Sequence, residues 1–459
     1  MYQTDCIAAI ATPTGTGGVA VIRISGGRCF EVTDRVFRAD CGKGAELRSA
    51  RMMYCGEIVG DGFTDRGMCV TFRAPHSYTG EDTAELHCHG GVQIAQGVLR
   101  AVLSAGARLA ENGEFTKRAF LNGKLDLTSC EGVADMIHAR SAAETRTAYR
   151  LMEGELYGKI KAAQDRLTDV ISYLEVMLDY PEEDIPDVKR SELEAELRGI
   201  GIGLKALSDT YGRGSKLKTG IKVAICGRTN AGKSSLLNRL LGEERAIVTE
   251  IEGTTRDLVE SELELGGMRM LLQDTAGLRE SADRVEKIGI ERSKRAAADA
   301  DLVLYVRDVA GSEEENLEIP AECPILTVWN KSDLSKLDVM KPGQGGEESR
   351  SAASVRNLGE ITLSAKTGEG VEELRRRLEE FAAACSAGDA FVLTNERHYR
   401  ALLRAQDELE HALEDFSVKP CDLLALDLRE CWDILGEVTG VTATEDIIDR
   451  IFSKFCLGK

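Results

Sequence analysis

The chain has 459 residues, 43% hydrophobic and 29% charged, which excludes disordered and fibrous classes and sets a prior of roughly two to four folded domains. Asp and Glu number 77 against 58 Lys and Arg, a formal net charge of −19. That excess excludes a general electrostatic grip on nucleic acid and leaves docking through a local basic patch.

At the start, Met1-Tyr2-Gln3-Thr4-Asp5 lacks the basic start and apolar core of a secretory leader. Residues 1–122 carry many glycines and short apolar runs. Val19-Ala20-Val21-Ile22-Arg23-Ile24 and Met68-Cys69-Val70-Thr71-Phe72 are predicted strands, and the run from Arg73 through Pro75 to Gly80 is a loop, so a mixed α/β domain is expected there. Period-two spacing puts His87 and His89 on one face of a strand; no fourth ligand accompanies Cys88 and them, and a structural role is expected rather than a metal. From 123 to 217 the texture is helical. Thr128 and Glu131 have the spacing of a capping box. Leu167, Val170, Ile171, Leu174, Met177 and Leu178 form one apolar stripe, and Pro181 and Pro186 then break the pattern. Between 218 and 384 short apolar strands alternate with helices, the pattern of a parallel sheet covered by helices. Residues 341–357, rich in Gly and Ser, are expected to form a mobile surface loop. From 385 to 459 the chain is helical again, with Leu424, Leu428, Cys431, Leu435 and Val438 at near-heptad spacing. The two helical stretches flank the 218–384 module and are expected to pack as one bundle. The 13 cysteines include no CxxC pair, which implies free thiols, and no run reaches the roughly 20 apolar residues of a membrane span.

The strand candidate Lys222-Val223-Ala224-Ile225-Cys226 runs into Gly227-Arg228-Thr229-Asn230-Ala231-Gly232-Lys233-Ser234, a full G-x-x-x-x-G-K-S, and then into the helix-like stretch from Ser235 to Leu240. Glycines let such a backbone wrap phosphates while its amides and the helix N-terminus face negative charge. Lys233 would reach the β- and γ-phosphates and the Ser234 hydroxyl would bind Mg²⁺. Asp274-Thr275-Ala276-Gly277 follows a second strand, its carboxylate placed to hold Mg²⁺ through water. Asn330-Lys331-Ser332-Asp333 ends the apolar run from Ile325 to Trp329, and Asp333 can accept two hydrogen bonds from the guanine edge, where adenine presents the wrong donors. Ser364-Ala365-Lys366 would back the guanine oxygen. Four such motifs in order point to a GTP site.

These motifs resemble the small GTPase superfamily, and Gly253-Thr254-Thr255-Arg256-Asp257 narrows the resemblance to the translation-factor-like branch, with Thr255 as switch residue for Mg²⁺ and the γ-phosphate. Where Ras-like enzymes place a water-orienting Gln, this chain has Leu278, so another group must orient the water and another cation must replace an arginine finger, a contribution of roughly 10³–10⁵ in rate. Gly277-Leu278-Arg279-Glu280, the block from Val285 through Glu286 to Arg292, Ala11-Thr12-Pro13, Ser77-Tyr78-Thr79-Gly80-Glu81-Asp82, His89-Gly90-Gly91, the block from Gly113 to Leu127, and the end Phe455-Cys456-Leu457-Gly458-Lys459 are similar to the tRNA modification GTPase MnmE (TrmE) family over essentially the whole chain.

The resemblance implies a multidomain α/β plus α protein. It would comprise an N-terminal α/β domain over 1–122 for dimerisation and folate, a helical domain of 123–217 and 385–459, and an inserted Ras-like P-loop GTPase domain over 218–384, its sheet mainly parallel with helices on both faces. It implies a nucleotide site of Asn230, Ala231, Gly232, Lys233, Ser234, Ser235, the run Thr249, Glu250, Ile251, Glu252, Gly253, Thr254, Thr255, then Asp274, Thr275, Ala276, Gly277, Asn330, Lys331, Asp333, Ser364, Ala365 and Lys366. Ser234 and Thr255 would hold Mg²⁺. K⁺ would sit at Asn230, Thr249, Ile251 and Thr254 in the arginine-finger role, Glu286 would orient the water, and Lys233, Thr255 and Glu286 would be catalytic. A tetrahydrofolate derivative, 5-formyl or methylene, would be bound by Arg23, Glu81, Lys124 and Lys459 of a homodimer. With the FAD- and NADH-dependent partner MnmG, in a heterotetramer, the enzyme would add an aminomethyl or carboxymethylaminomethyl group to carbon-5 of a tRNA wobble uridine in the cytoplasm. Glu252, where a small residue is more usual, and Arg307, where an apolar one is common, depart from the pattern. Cys456 is a plain tail thiol or a nucleophile. The alternative is a ribosome-assembly GTPase switch of the Era or Der type, which the acidic helical segment after the nucleotide module counts against.

Overall fold

Alternating apolar residues in short runs build two sheets, and longer apolar stripes build the helices around them. The computed structural model describes residues 5–179, 190–228, 230–242, 260–274, 296–310, 323–334, 357–386, 390–414, 416–456 and 458. The chain divides into two compact units, one of Met1–Ile137, Ala148–Lys205 and Arg400–Lys459, the other of His138–Thr147 and Ala206–Tyr399. The helices in chain order are α1 (Cys29–Val36), α2 (Val92–Ser104), α3 (Glu114–Leu121), α4 (Leu127–His138), α5 (Ala142–Met152), α6 (Glu155–Asp179), α7 (Arg190–Ser208), α8 (Tyr211–Thr219), α9 (Lys233–Gly242), α10 (Val371–Cys385), α11 (Glu396–Leu413), α12 (Cys421–Thr439) and α13 (Glu445–Phe452). No helix among the described residues is long and apolar enough to cross a membrane.

The first unit holds a seven-stranded sheet of β1 (Cys6–Ile10), β2 (Val19–Gly26), β3 (Phe37–Ala39), β4 (Tyr54–Val59), β5 (Thr64–Phe72), β6 (Thr83–His89) and β7 (Arg108–Leu109), in the order β3-β4-β5-β6-β2-β1-β7. All its pairings are antiparallel except the parallel contact of β1 with β7. β1 reads as an unbroken apolar run because both its faces are covered. Cys6 and Ala8 join the core formed with α1 and α2, while Ile7 and Ala9 join Phe115 of α3 and Ala110 on the other face. In the helical part, α6 packs along α12: the Gln164 amide donates to the Trp432 carbonyl at 3.1 Å and the Trp432 indole N–H to Thr168 Oγ1 at 3.1 Å. Leu424, Leu428, Cys431, Leu435 and Val438 of α12 are all fully buried, as their spacing predicts.

Two local expectations need correcting. Thr128 is not the cap of α4, because the helix already includes it. The cap is Asp126, whose Oδ1 accepts the Thr128 and Ser129 N–H groups at 2.8 and 3.1 Å. A carboxylate one step outside the helix reaches those donors, whereas a hydroxyl within the first turn cannot. The α6 stripe is buried from Leu167 to Leu174, but Met177 and Leu178 are 41% and 44% exposed. Helical spacing identifies a face and does not say how far along that face a partner extends.

The second unit holds a six-stranded sheet of β8 (Ile221–Cys226), β9 (Glu260–Leu265), β10 (Met268–Asp274), β11 (Leu302–Asp308), β12 (Ile325–Asn330) and β13 (Asn357–Thr362), in the order β13-β12-β11-β8-β10-β9. It is parallel throughout except for the β9–β10 hairpin. Alternate residues of β8 face opposite ways: Ile221, Val223 and Ile225 pack with Leu236 and Leu240 of α9 and Leu374 and Leu378 of α10, while Ala224 and Cys226 pack with Ala296 and Ala297. Both faces of the sheet are thus covered. Residues 335–356, most of the expected mobile loop, lie outside the described residues.

Candidate functional site

The strand order places the chemistry. β8 is flanked by β11 on one side and β10 on the other, so the strand order reverses at β8, the position at whose C-terminal end such sheets carry their crevice. The parallel register aligns the strand ends: Asp274, the last residue of β10, lies opposite Ile225, and Asp308 of β11 lies opposite Asn330 of β12. Three of the four motifs therefore emerge from parallel strand ends on one edge of the sheet, and the fourth follows β13 on the same edge.

The phosphate loop between β8 and α9 is built from close approaches. Gly227 has φ 141°, and a Cβ there would meet the Val306 carbonyl oxygen at 2.1 Å. Gly232 has φ 91°, and a Cβ there would meet Asn330 Nδ2 at 2.2 Å. Asn230 is exposed with φ 69°, a left-handed conformation that Asn tolerates better than most residues. Lys233, 5% exposed, is the first residue of α9, and its ammonium donates to the Gly227 and Arg228 carbonyls at 2.6 and 2.8 Å. Burial lowers its pKa, opposed by the Asp274 carboxylate. The Ser234 hydroxyl donates to Asp274 Oδ2 at 2.7 Å. This pair of hard oxygen donors suits Mg²⁺, which takes few protein ligands and keeps the rest of its shell for water and phosphate, while the helix N-terminus beside it suits the phosphate.

On the other side of the crevice, Asn330 is the hinge between loops. It is 2% exposed, its Nδ2 donates to the Ala231 carbonyl at 2.8 Å, and its Oδ1 accepts the N–H of Lys331 at 2.8 Å and of Ala365 at 2.9 Å. Phosphate loop and guanine loop are thereby fixed to each other. Lys331 has φ 69° and pairs with Asp308 at 2.7 Å, and the ammonium holds the Asp308 carboxyl below the usual range. The fully buried Ser364 donates its hydroxyl to Asp333 Oδ1 at 2.7 Å, which orients the exposed Asp333 carboxylate. Ser235 and Ala365, with Asn238, Arg239 and Gly242, line a cavity of about 300 Å³ beside this loop, and Lys366 is exposed. Sequence reasoning missed Asp308 and Arg239. Neither carries a motif, and each acts through a carbonyl or an ammonium that only the fold brings near. Arg307, the departure noted in β11, stacks over the Trp329 ring at 4.6 Å and lies 5.8 Å from the Tyr305 ring, so its planar guanidinium fills an apolar role. Thr249, Glu250, Ile251, Glu252, Gly253, Thr254, Thr255, Thr275, Ala276, Gly277, Leu278 and Glu286 lie outside the described residues.

A second constellation sits in the first unit, around the loop of residues 75–82. The Arg23 guanidinium pairs with Glu85 at 2.9 Å and lies over the Tyr78 and Phe115 rings at 5.5 and 5.7 Å. Glu81 accepts the Ser25 hydroxyl at 2.9 Å and Arg118 Nη1 at 3.2 Å. Lys124 donates to the Pro75 carbonyl at 3.1 Å and runs along Gly80. That loop is the shared contact of all three residues. Sequence reasoning missed Ser25 and Arg118, which hold Glu81, and Asn122, whose amide donates to the Thr79 carbonyl at 2.7 Å. Lys459 lies outside the described residues. Cys456 is exposed, and its carbonyl accepts the Gly113 N–H at 3.4 Å. His89 pairs with Asp65 at 2.6 Å, and His87 Nε2 lies 3.7 Å from Glu85.

The family model for the MnmE helical domain matches residues 127–456, and that for the GTP-binding protein TrmE N-terminus matches residues 6–124. The chain is 40% identical to the tRNA modification GTPase MnmE of Clostridioides difficile (strain 630) over 467 aligned residues, covering 100% of both chains. It is 43% identical to the tRNA modification GTPase MnmE of Moorella thermoacetica, covering 99% of both chains. Among solved structures, the G domain of the T. maritima FeoB iron transporter is 28% identical and covers 35% of this chain and 98% of that chain, with a TM-score of 0.25.

Proposed function

The chain belongs to the tRNA modification GTPase MnmE family, and from that premise we propose that it hydrolyses GTP to modify the wobble uridine of tRNA. Asn330 carries this reading. One buried amide joins the phosphate loop to the guanine loop, which suits a site that must hold a phosphate chain and a guanine ring at a fixed separation. In hydrolysis, water attacks the γ-phosphorus, the bond to the bridging oxygen breaks, and negative charge moves toward the β-phosphate. Lys233, which now donates to the Gly227 and Arg228 carbonyls, would turn with the phosphate-loop amides to meet that charge. Ser234 and Thr255, with Asp274 hydrogen-bonded to Ser234, would hold Mg²⁺, which would supply further neutralisation of the β- and γ-oxygens. Leu278 cannot orient water, so Glu286 takes that role. Asn230, Thr249, Ile251 and Thr254 would hold K⁺, which would supply there the charge an arginine finger gives elsewhere. The left-handed, exposed Asn230 supports that reading, since its side chain is not consumed by a helix or a core.

The finer reading extends to the whole chain. Residues 1–122 form a dimerisation domain that binds a tetrahydrofolate derivative through Arg23, Glu81, Lys124 and Lys459. Residues 123–217 and 385–459 form a helical domain, and 218–384 form the GTPase domain. The guanidinium lying over two rings and the carboxylate held by Ser25 support a site for a flat, polar heterocycle. The enzyme acts in the cytoplasm as a homodimer, with an FAD- and NADH-dependent MnmG-type partner and with folate as one-carbon donor.

Two measurements test this. Cells lacking the gene should lose the carbon-5 group on the wobble uridine in mass analysis of tRNA nucleosides; unchanged nucleosides would sink the tRNA assignment. Purified protein should turn over GTP faster in KCl than in NaCl, and equal rates in the two salts would remove K⁺ from the reaction.

A further inference from the structure

Arg239 lies on α9, two turns beyond the phosphate loop, in a stretch whose neighbours Leu236, Leu237 and Leu240 are buried in the core. Its side chain does not follow them. It turns toward the loop after β13, where Nε donates to the Ala365 carbonyl at 3.2 Å and Nη2 to the Lys366 carbonyl at 2.7 Å. Two consecutive carbonyls are thus gripped by one planar fork, a geometry the guanidinium offers and an ammonium does not.

The consequence follows from peptide geometry. In a trans peptide the C=O and the next N–H point to opposite sides. Fixing the Ala365 carbonyl on Arg239 turns the Lys366 N–H to the side away from the guanidinium. Fixing the Lys366 carbonyl turns the Thr367 N–H onto Ser364 Oγ at 3.2 Å, and that hydroxyl donates to Asp333 Oδ1 at 2.7 Å. The Ser364-Ala365-Lys366 stretch, expected to back the guanine oxygen, and the Asp333 carboxylate, expected to accept from the ring N–H and the amino group, therefore share one upstream anchor. Asn330 fixes the Ala365 N–H from the opposite side at 2.9 Å, so the loop is clamped between two elements.

We infer that Arg239 is a specificity-determining positioning residue, which aims the guanine-reading groups from outside the nucleotide site; the inference rests on the GTP reading above. Its fork holds the Ala365 and Lys366 carbonyls of the loop that would receive the base, so its loss should weaken base recognition and leave phosphate binding intact.

The test compares the full chain's affinity for GDP and for purine riboside diphosphate, which has the same ribose and phosphates but neither the 6-oxo nor the 2-amino group. Arg239→Met keeps the aliphatic stem and removes the fork. It should lower GDP affinity about tenfold, as expected when the two hydrogen bonds that hold the base-reading loop are lost, and leave the purine analogue unchanged. Arg239→Lys, with one point donor, should give an intermediate GDP-to-analogue ratio. Equal loss for both nucleotides would reveal a loop merely loosened and would overturn the inference, as would an unchanged ratio in Arg239→Met. A wild-type chain that does not prefer GDP to the analogue would instead sink the GTP reading itself, so the two failures are distinguishable. Should Arg239→Met not fold, the ratio in Arg239→Lys decides alone.

Discussion

Asn330 does three things at once, and its neighbourhood is built to let it. Gly232 has no Cβ because Asn330 Nδ2 occupies that space on its way to the Ala231 carbonyl. Replacing Asn330 by Ala leaves the Ala231 carbonyl and the Ala365 N–H without that partner in a region the side chain now seals at 2% exposure. An unsatisfied buried group costs roughly 1–3 kcal/mol. Asn330→Ala should therefore lower the urea midpoint of the nucleotide-free protein as well as weaken GDP binding. Asp333→Ala touches the exposed carboxylate and should weaken GDP binding with little change in stability. Matching midpoints for Asn330→Ala and wild type would show that the amide contributes to ligand contact only. Arg307 makes a complementary point about reading single residues. By polarity alone it looks misplaced in a strand, yet stacked on Trp329 it covers apolar surface much as a hydrophobic residue would.

At the scale of elements, legibility follows from where the information lies. β2, β5, β8, β10 and β12 were readable because their apolar runs and bounding motifs are local. The G-x-x-x-x-G-K-S motif was readable as a strand–loop–helix unit for the same reason, and α9 begins at Lys233 within it. What could not be read depends on partners remote in sequence. The cap of α4 was misassigned because Thr128 and Glu131 match a spacing rule, whereas Asp126 wins by reaching two donors with a carboxylate. The end of the buried stripe on α6 was missed because it is set by what packs there. No sequence signal announced that His138–Thr147 clusters with the second unit, where Ala143 N–H donates to the Gly267 carbonyl at 3.1 Å and Arg140 pairs with Glu262 at 3.1 Å. A hairpin edge such as β9–β10 offers backbone groups to any segment delivered to it. In the candidate sites, the motif residues were legible and their anchors, Arg239, Ser25 and Arg118, were not.

Across the molecule, the first unit is closed by contacts between residues far apart in the chain. Arg118 donates to Asp5 at 2.7 Å, to Glu81 at 3.2 Å and to Glu114 at 2.9 Å, and Arg108 joins Asp5 and Glu114 from the other side at 2.5 Å each. The C-terminal residues meet the same helix: Lys117 pairs with Asp449 at 2.5 Å, and the Phe452 ring lies tilted against both Phe120 and Phe455. Two arginines serving three carboxylates make this cluster sensitive to acid. Burial pushes the Glu114 carboxyl up, but Arg108, the Glu111 N–H and Arg118 outweigh it and bring it down to about 2. Burial and the same arginines act on Asp5, which also ends below its usual value. A carboxyl lowered in the folded state binds fewer protons there than in the unfolded chain, so its stabilisation is complete above the unfolded range and is lost as pH falls toward the folded value. For Glu114 the window runs from 4.5 down to about 2. The urea midpoint of the first unit should therefore fall steeply across that window. In Glu114→Gln, which cannot titrate, the midpoint should start lower at neutral pH and fall less. Parallel pH profiles for the two proteins would mean that the cluster is not what acid dismantles.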